Sequence, residues 1–162
     1  MQMEYNHFEY MEQVARKLKP VGHTDSYRRF FTAYGLEDLY NLDDRLSDLR
    51  DYVLIAVDGY ESDMHMNRTA GLTDFGQYGV IVCHHTHTDR PETIDQAFRE
   101  SAKLCREIRN RLLADDELRP CLGDEWQLNG IGPIGDGFYG CLLSFSVGDW
   151  SNYSTDPELW ED

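Results

Sequence analysis

The sequence has few basic residues: 15 Lys and Arg stand against 30 Asp and Glu in 162 residues, so the formal net charge is −15. Binding to a phosphate backbone needs clustered basic side chains that displace counterions. The one dense basic stretch is interleaved with Glu100 and Glu107 and is typical of a solvated helix face; it contains Arg99, Lys103, Arg106, Arg109 and Arg111. The composition therefore argues against tight binding to nucleic acid or to an anionic membrane.

Long apolar runs and paired cysteines are also missing. No apolar run approaches the length of a membrane span, and the first ten residues lack the basic-then-apolar pattern of a signal peptide. The cysteines form no Cys-x-x-Cys pair and are typical of buried, reduced thiols; they are Cys83, Cys105, Cys121 and Cys141. We expect a protein that neither spans a membrane nor is secreted through a signal peptide.

Catalytic motifs are missing as well. There is no Gly-x-Ser-x-Gly elbow, and the acidic pairs at 43–44 and 115–116 fall on predicted surface helices or at a helix end. The glycines of 130–137 (GIGPIGDG) do not follow the dinucleotide-binding spacing, and the residues after them favour a strand. We interpret this segment as a tight turn. The sequence predicts no enzyme, no catalytic residue and no cofactor.

What the chain does have is enough apolar material for a core. Hydrophobic residues make up 41% and aromatic residues 12% of the sequence. A chain of this length buries roughly 70% of the surface that its unfolded form exposes. We predict one α+β domain over residues 1–148 and an acidic, aromatic tail over 149–162, with Trp150, Tyr153 and Trp160.

Apolar spacing of three and four residues predicts helices at 4–18, 36–49 and 92–113. The last of these is preceded by Asp89, which we expect to cap it, and by Pro91, which suits a first turn. Its continuous apolar stripe predicts packing on a sheet; the stripe is Ile94, Ala97, Phe98, Ala102, Cys105, Ile108 and Leu112.

Four segments are typical of strands: 52–57, 74–83, 125–129 and 138–147. The first is apolar throughout, which predicts burial on both faces. We interpret 60–75 as a long polar hairpin connection, and 27–34 fits either a strand or a helix. The fold class predicted is α+β, with a mostly antiparallel sheet of about four strands and with the N-terminal helix and the long amphipathic helix packed on one face.

The clearest candidate for chemistry is a cluster at the end of the second strand. Alternation along a strand would place Cys83, His85 and His87 on one face, and thiolate and imidazole groups are zinc ligands. Asp89 or the distant His65 is a possible fourth ligand. The alternative is that these histidines are solvated at a sheet edge. Neighbours two apart on a strand lie roughly 6–7 Å apart, which is not ideal for a shared metal.

The order of elements resembles a known family. An apolar strand at 52–57, a hairpin to a strand ending at 83, a helix at 92–113 and two closing strands resemble the tail-terminator or tail-completion proteins of long-tailed bacteriophages. The segments 132–136 and 138–140, with the later Asp156, Pro157 and Trp160, resemble small prophage proteins of Bacteroidetes.

The resemblance implies a structural protein that forms a ring, commonly a hexamer, at the head-proximal end of the tail tube. Its partners would be the tube and the head connector, and it would be found in the virion tail or, before assembly, in the bacterial cytoplasm. Because DNA must slide through such a ring, an acidic channel lining is favourable. Two alternatives stay open: an adaptor domain that recognises a basic protein, and a small metal-binding protein that uses the cluster at 83–87.

Overall fold

The computed structural model describes residues 4–69, 71–151 and 154–162. Within them the chain forms three α-helices and five β-strands, which confirms the α+β class. The elements are α1 (His7–Lys17), β1 (Phe30–Ala33), α2 (Asp43–Leu46), β2 (Tyr52–Asn67), β3 (Gly71–His85), α3 (Pro91–Ala114), β4 (Gln127–Ile134) and β5 (Phe138–Ser151). Three 3-10 helices accompany them, at Leu36–Leu42, Arg119–Cys121 and Pro157–Leu159.

The five strands form one mixed sheet in the order β1-β2-β3-β5-β4. Strand β1 pairs parallel with β2, and every other pairing is antiparallel. A parallel pair needs a crossover connection, which residues 34–51 supply with a 3-10 helix and α2. The prediction of about four strands is short by one because β1 lies in the segment whose sequence fits either a strand or a helix.

Helices α1 and α3 cover one face of the sheet. Asn6 caps α1 by accepting a hydrogen bond from the Glu9 N–H at 3.1 Å. The core on this side combines helix and strand residues, namely Met11, Val14 and Ala15 from α1, Cys105, Ile108 and Leu112 from α3, and Leu54, Ala56, Val80, Val82, Leu143 and Phe145 from the sheet. The prediction that the N-terminal helix and the long amphipathic helix pack on one face of the sheet is confirmed.

The second face is covered by the crossover segment rather than by solvent. Leu39, Leu42 and Leu46 pack there against a separate core that includes the odd-numbered residues of β2; these are Val53, Ile55 and Val57. The prediction that 52–57 is buried on both faces is therefore confirmed for 53–57. The prediction assigned only the N-terminal and the long helix to a face of the sheet. The structure adds that the short helices of the crossover segment cover the other face.

The predicted hairpin between β2 and β3 is present, but its connection is far shorter than the predicted 60–75. Strand β2 continues to Asn67 and β3 begins at Gly71. Residues 61–67 are all exposed and form a strand only through backbone pairing with β3. Because no buried face imposes an alternation of apolar and polar side chains on them, the sequence pattern could not predict this part of β2.

The last two strands are also longer than expected. Strand β4 takes in most of the glycine-rich segment, so the turn shrinks to 135–137, where Gly135 and Gly137 have φ of 57° and 82°. Strand β5 runs to Ser151, so 149–151, predicted as tail, pair with 72–74. Tyr153, also predicted in the tail, lies outside the described residues.

Helix α3 has the extent predicted, but a different cap. Its N-cap is Arg90 and Pro91 occupies the first turn, so Asp89 stands one residue too early to cap it. The Thr93 hydroxyl instead accepts a hydrogen bond from the His87 N–H at 3.0 Å and ties the helix start to the end of β3. None of the helices in the described ranges is long and apolar enough to cross a membrane.

Candidate functional site

A groove lies at the end of the sheet where β2 begins and β3 ends, beside the first turns of α3. Its volume is about 440 Å³. It is lined by Arg50, Tyr52, His84, His85, His87, Thr93, Gln96 and Ala97. We call it the histidine groove. A volume in this range suits a small molecule or a few side chains of a peptide.

Strand alternation and cross-strand pairing place these side chains. Tyr52 lies opposite His84 in the antiparallel register, and their rings meet edge to face with centroids 4.5 Å apart. His85 points to the other face and packs against Phe138 at 5.5 Å. His87, beyond the strand, returns to within 5.6 Å of the His85 ring. The groove therefore wraps around the end of β3 rather than lying on one face.

Hydrogen bonds hold this end of β3 in place. The buried Thr86 donates both its backbone N–H, at 2.8 Å, and its hydroxyl, at 2.6 Å, to the Gly137 carbonyl. His84 donates its Nδ1–H to the His85 carbonyl at 2.6 Å. The wall of the groove is thus formed by a segment whose backbone is fixed on both sides.

The groove has one permanent positive charge in its lining, although the protein as a whole is strongly acidic. Its lining contains one guanidinium, on Arg50, and three imidazoles, but no carboxylate. Burial lowers the pKa of His85, and the neighbouring charges of Arg50 and His87 lower it further, while Asp136 acts in the opposite sense. His85 is therefore a neutral hydrogen-bonding group near neutral pH, and Arg50 supplies a permanent charge.

The predicted metal ligands differ in burial. Cys83 is fully buried in the core on the face away from α1 and α3, whereas His85 and His87 line the groove. His65 lies opposite Thr73, twelve residues along β3 from His85, which is roughly 40 Å of strand. Among the described residues, no three His, Cys, Asp or Glu side chains are grouped to hold a metal ion.

The buried thiols are not activated. Burial raises the pKa of Cys83 above its usual range and raises the pKa of Cys105 to about 12. Since the thiolate is the nucleophile and the metal ligand, both side chains act as small apolar groups of the core.

The other end of the sheet forms an extension in which β2 has only exposed side chains. Residues 61–67 of β2, 71–77 of β3 and 147–151 of β5 pair as three strands, and we call them the distal arm. Residues 61–67 are exposed throughout, including Met64 (63% exposed) and Met66 (70%). Strand β1 pairs only with 54–57, so in the described chain the outer backbone edge of 61–67 has no strand beside it.

A bulge and an aromatic cluster mark the base of the arm. The register shifts between Asp58 and Glu61, and Tyr60 adopts φ of 55°, which directs its ring outward. The Tyr60 ring, 76% exposed, stacks on that of Tyr34 at 6.2 Å, and Tyr34 is itself 66% exposed. Large aromatic side chains that are exposed to this degree are typical of protein–protein contact sites.

A buried imidazole lies beneath this cluster. His7 donates its Nε2–H to the Gly79 carbonyl at 2.7 Å and accepts a hydrogen bond from the Tyr5 hydroxyl at 2.8 Å. Burial lowers the pKa of His7 to about 4, although the Gly79 carbonyl and Asp58 favour the charged form. Sequence reasoning missed this residue because it sits in a helical pattern where only the apolar positions were counted.

Comparisons of the chain with protein-family models, with curated proteins and with solved structures found no match. The fold and the two surfaces described above are therefore the basis for any statement about function.

Proposed function

We propose that the chain is a structural subunit of a ring, built from copies of itself, that closes the head-proximal end of a phage-type tail tube and lets DNA pass. The observation that carries this proposal is the distal arm: three paired strands that extend past the core, with two exposed methionines on one face of β2 and a strand edge that no described strand covers.

An arm of this kind is unfavourable in a lone chain. Cross-strand pairing places Met64 opposite Asp74 and Met66 opposite Leu72, so the two methionines share one face of the arm. An exposed edge with apolar side chains is a template for pairing with another chain. In a ring, a neighbouring copy would cover both the exposed methionine side chains and the unpaired strand edge.

The arm also favours a head-to-tail contact over a two-fold one. It lies at one end of the sheet, whereas the histidine groove lies at the other end of the same strands. When one end of a molecule contacts a different part of the next, the contact is heterologous, and such contacts form a ring where the rotation between copies closes. The exposed rings at the base of the arm supply further contact area; they are Tyr34 and Tyr60.

The distribution of charge fits a passage for DNA. The crossover segment 36–48 contains five acidic residues and one arginine, and 154–162 contain four acidic residues and no Lys or Arg. By contrast, the stretch of α3 from Arg99 to Arg111 contains five basic residues and two acidic ones. A ring that turns the crossover segment 36–48 inward and α3 outward would repel a phosphate backbone along its channel.

The arm can be tested by adding charge to one of its faces. Met64→Lys with Met66→Lys buries two ammonium groups in the proposed contact, which is strongly unfavourable. Native mass spectrometry of the unmodified chain should show one closed oligomer of about six copies, and the double variant should be mainly monomer. His65→Lys with Asn67→Lys is the matched control, because it adds the same charge to the opposite face of the same strand.

Retention of the oligomer in the control and its loss in the methionine variant would support the ring. An unmodified chain that stays a monomer at millimolar concentration would overturn it and favour an adaptor domain. The link to a tail is tested separately by the neighbouring genes, which we expect to encode tail-tube and head-connector proteins; an unrelated metabolic neighbourhood would contradict that link.

A further inference from the structure

The acidic tail, residues 154–162, is exposed at every position. It nevertheless has local order and apolar content. Asp156 accepts a hydrogen bond from the Glu158 N–H at 3.0 Å and caps the 3-10 helix Pro157–Leu159, which presents Leu159 (79% exposed) and Trp160 (62%) to the outside. A capped turn with two exposed apolar side chains is preorganised for a partner.

The histidine groove offers this acidic tail a positive charge and an apolar floor. The tail contains Asp156, Glu158, Glu161 and Asp162. The groove offers Arg50 and imidazole N–H groups without a lining carboxylate, and its Tyr52 and Ala97 give an apolar floor. Guanidinium–carboxylate pairs and aromatic packing are the usual anchors of such contacts.

With its capped turn intact, the tail falls short of the groove of its own chain. It leaves the sheet after Ser151, which pairs with Leu72 near the tip of the arm, whereas the groove adjoins His85, which pairs with Phe138. The thirteen residue steps of β5 from Phe138 to Ser151 span roughly 40 Å. A fully extended chain from Ser151 to Asp162 would reach about 40 Å, and the 3-10 helix Pro157–Leu159 shortens the tail below that length.

We infer that the tail of one copy docks into the histidine groove of a second copy, with Trp160 on the apolar floor and its neighbouring carboxylates toward Arg50. This inference rests on the proposed ring, because the arm of one copy must lie along its neighbour to deliver the tail. A nine-residue contact is small, so it gains its strength from repetition around a closed ring and from the high effective concentration within it.

The test uses the full chain with p-benzoylphenylalanine in place of Trp160. After illumination, mixed light and 15N-labelled chains should give a covalent dimer with cross-links between one heavy and one light chain. Those cross-links should map to peptides that contain 84–87 or 93–97. Gln96→Glu places a carboxylate in the groove and should reduce the cross-link yield at least fivefold; Gln13→Glu makes the same change on an exposed position of α1 and should leave the yield unchanged.

Native mass spectrometry of the same samples separates the two proposals. A closed oligomer whose cross-links are absent, intramolecular or mapped elsewhere would overturn the tail contact and leave the ring. If Gln96→Glu and Gln13→Glu lowered the cross-link yield equally, the tail contact would also be overturned, because the effect would then not depend on the groove. A monomer without cross-links would overturn both.

Discussion

At the scale of single residues, His7 shows how burial sets chemistry in this chain. Both ring nitrogens are used, one toward Gly79 and one toward Tyr5, and the side chain is only 2% exposed. The neutral imidazole satisfies both bonds, whereas a proton on Nδ1 would remove the acceptor for the Tyr5 hydroxyl. His7 therefore stabilises the base of the arm only while it stays neutral.

This arrangement predicts a dependence of stability on pH. The folded-state pKa of His7 is about 4, below the unfolded value of 6.5, so its contribution is complete above pH 6.5 and is lost as the pH falls toward 4. Between pH 7.5 and pH 5 this linkage amounts to about 2 kcal/mol of the free energy of unfolding. Urea denaturation of His7→Gln should show a pH dependence smaller by that amount.

The same variant should also be less stable at pH 7.5, by about 1–3 kcal/mol, because a buried hydrogen-bond pair is disturbed. His65→Gln, on the exposed part of the arm, is the control and should keep the pH dependence of the original chain. An unchanged pH dependence in His7→Gln would show that other groups govern the acid sensitivity.

At the scale of elements, what the sequence could predict follows burial. The strand segment 53–57 and helix α3 were predictable because each has a continuous set of apolar side chains that are buried in the core. The distal arm was not predictable, because the side chains of 61–67 are exposed and only their backbone groups pair with β3. The placement of 36–46 on the second face follows from the parallel β1–β2 pair, which short-range patterns do not encode.

The candidate site was likewise only partly predictable from the sequence. The cluster at 84–87 was visible as a local run of histidines. Its partners come from elsewhere in the chain: Arg50 and Tyr52 from β2 and its preceding loop, and Thr93 and Gln96 from α3. The burial of Cys83 depends on the face of β3 that the crossover segment covers, so its difference in burial from the other predicted metal ligands could be recognised only with the fold in hand.

Hydrogen exchange tests the difference between arm and core. In dilute protein, before assembly, the amides of 61–67 should exchange far faster than those of 53–57, because none of the side chains of 61–67 is buried. On assembly, protection should rise in 61–67 and stay constant in 53–57. Slow exchange of the arm in the monomer, with no change on assembly, would contradict its role as a contact.

At the scale of the whole molecule, the two surfaces lie at opposite ends of one sheet. The arm and the tail leave from one end of β5, and the histidine groove adjoins the other. In the proposed ring, these two ends of neighbouring copies would meet head to tail, and closure would cover both surfaces. The net charge of −15 would then oppose the binding of nucleic acid in the proposed channel.

The central claim is tested most directly by electron microscopy of the purified full chain at a concentration where native mass spectrometry detects oligomers. The account predicts closed rings of about six copies, with an axial opening wide enough for duplex DNA and with 36–48 rather than α3 facing the opening. Compact monomers, two-fold dimers, or rings whose openings are too narrow for a duplex would contradict it.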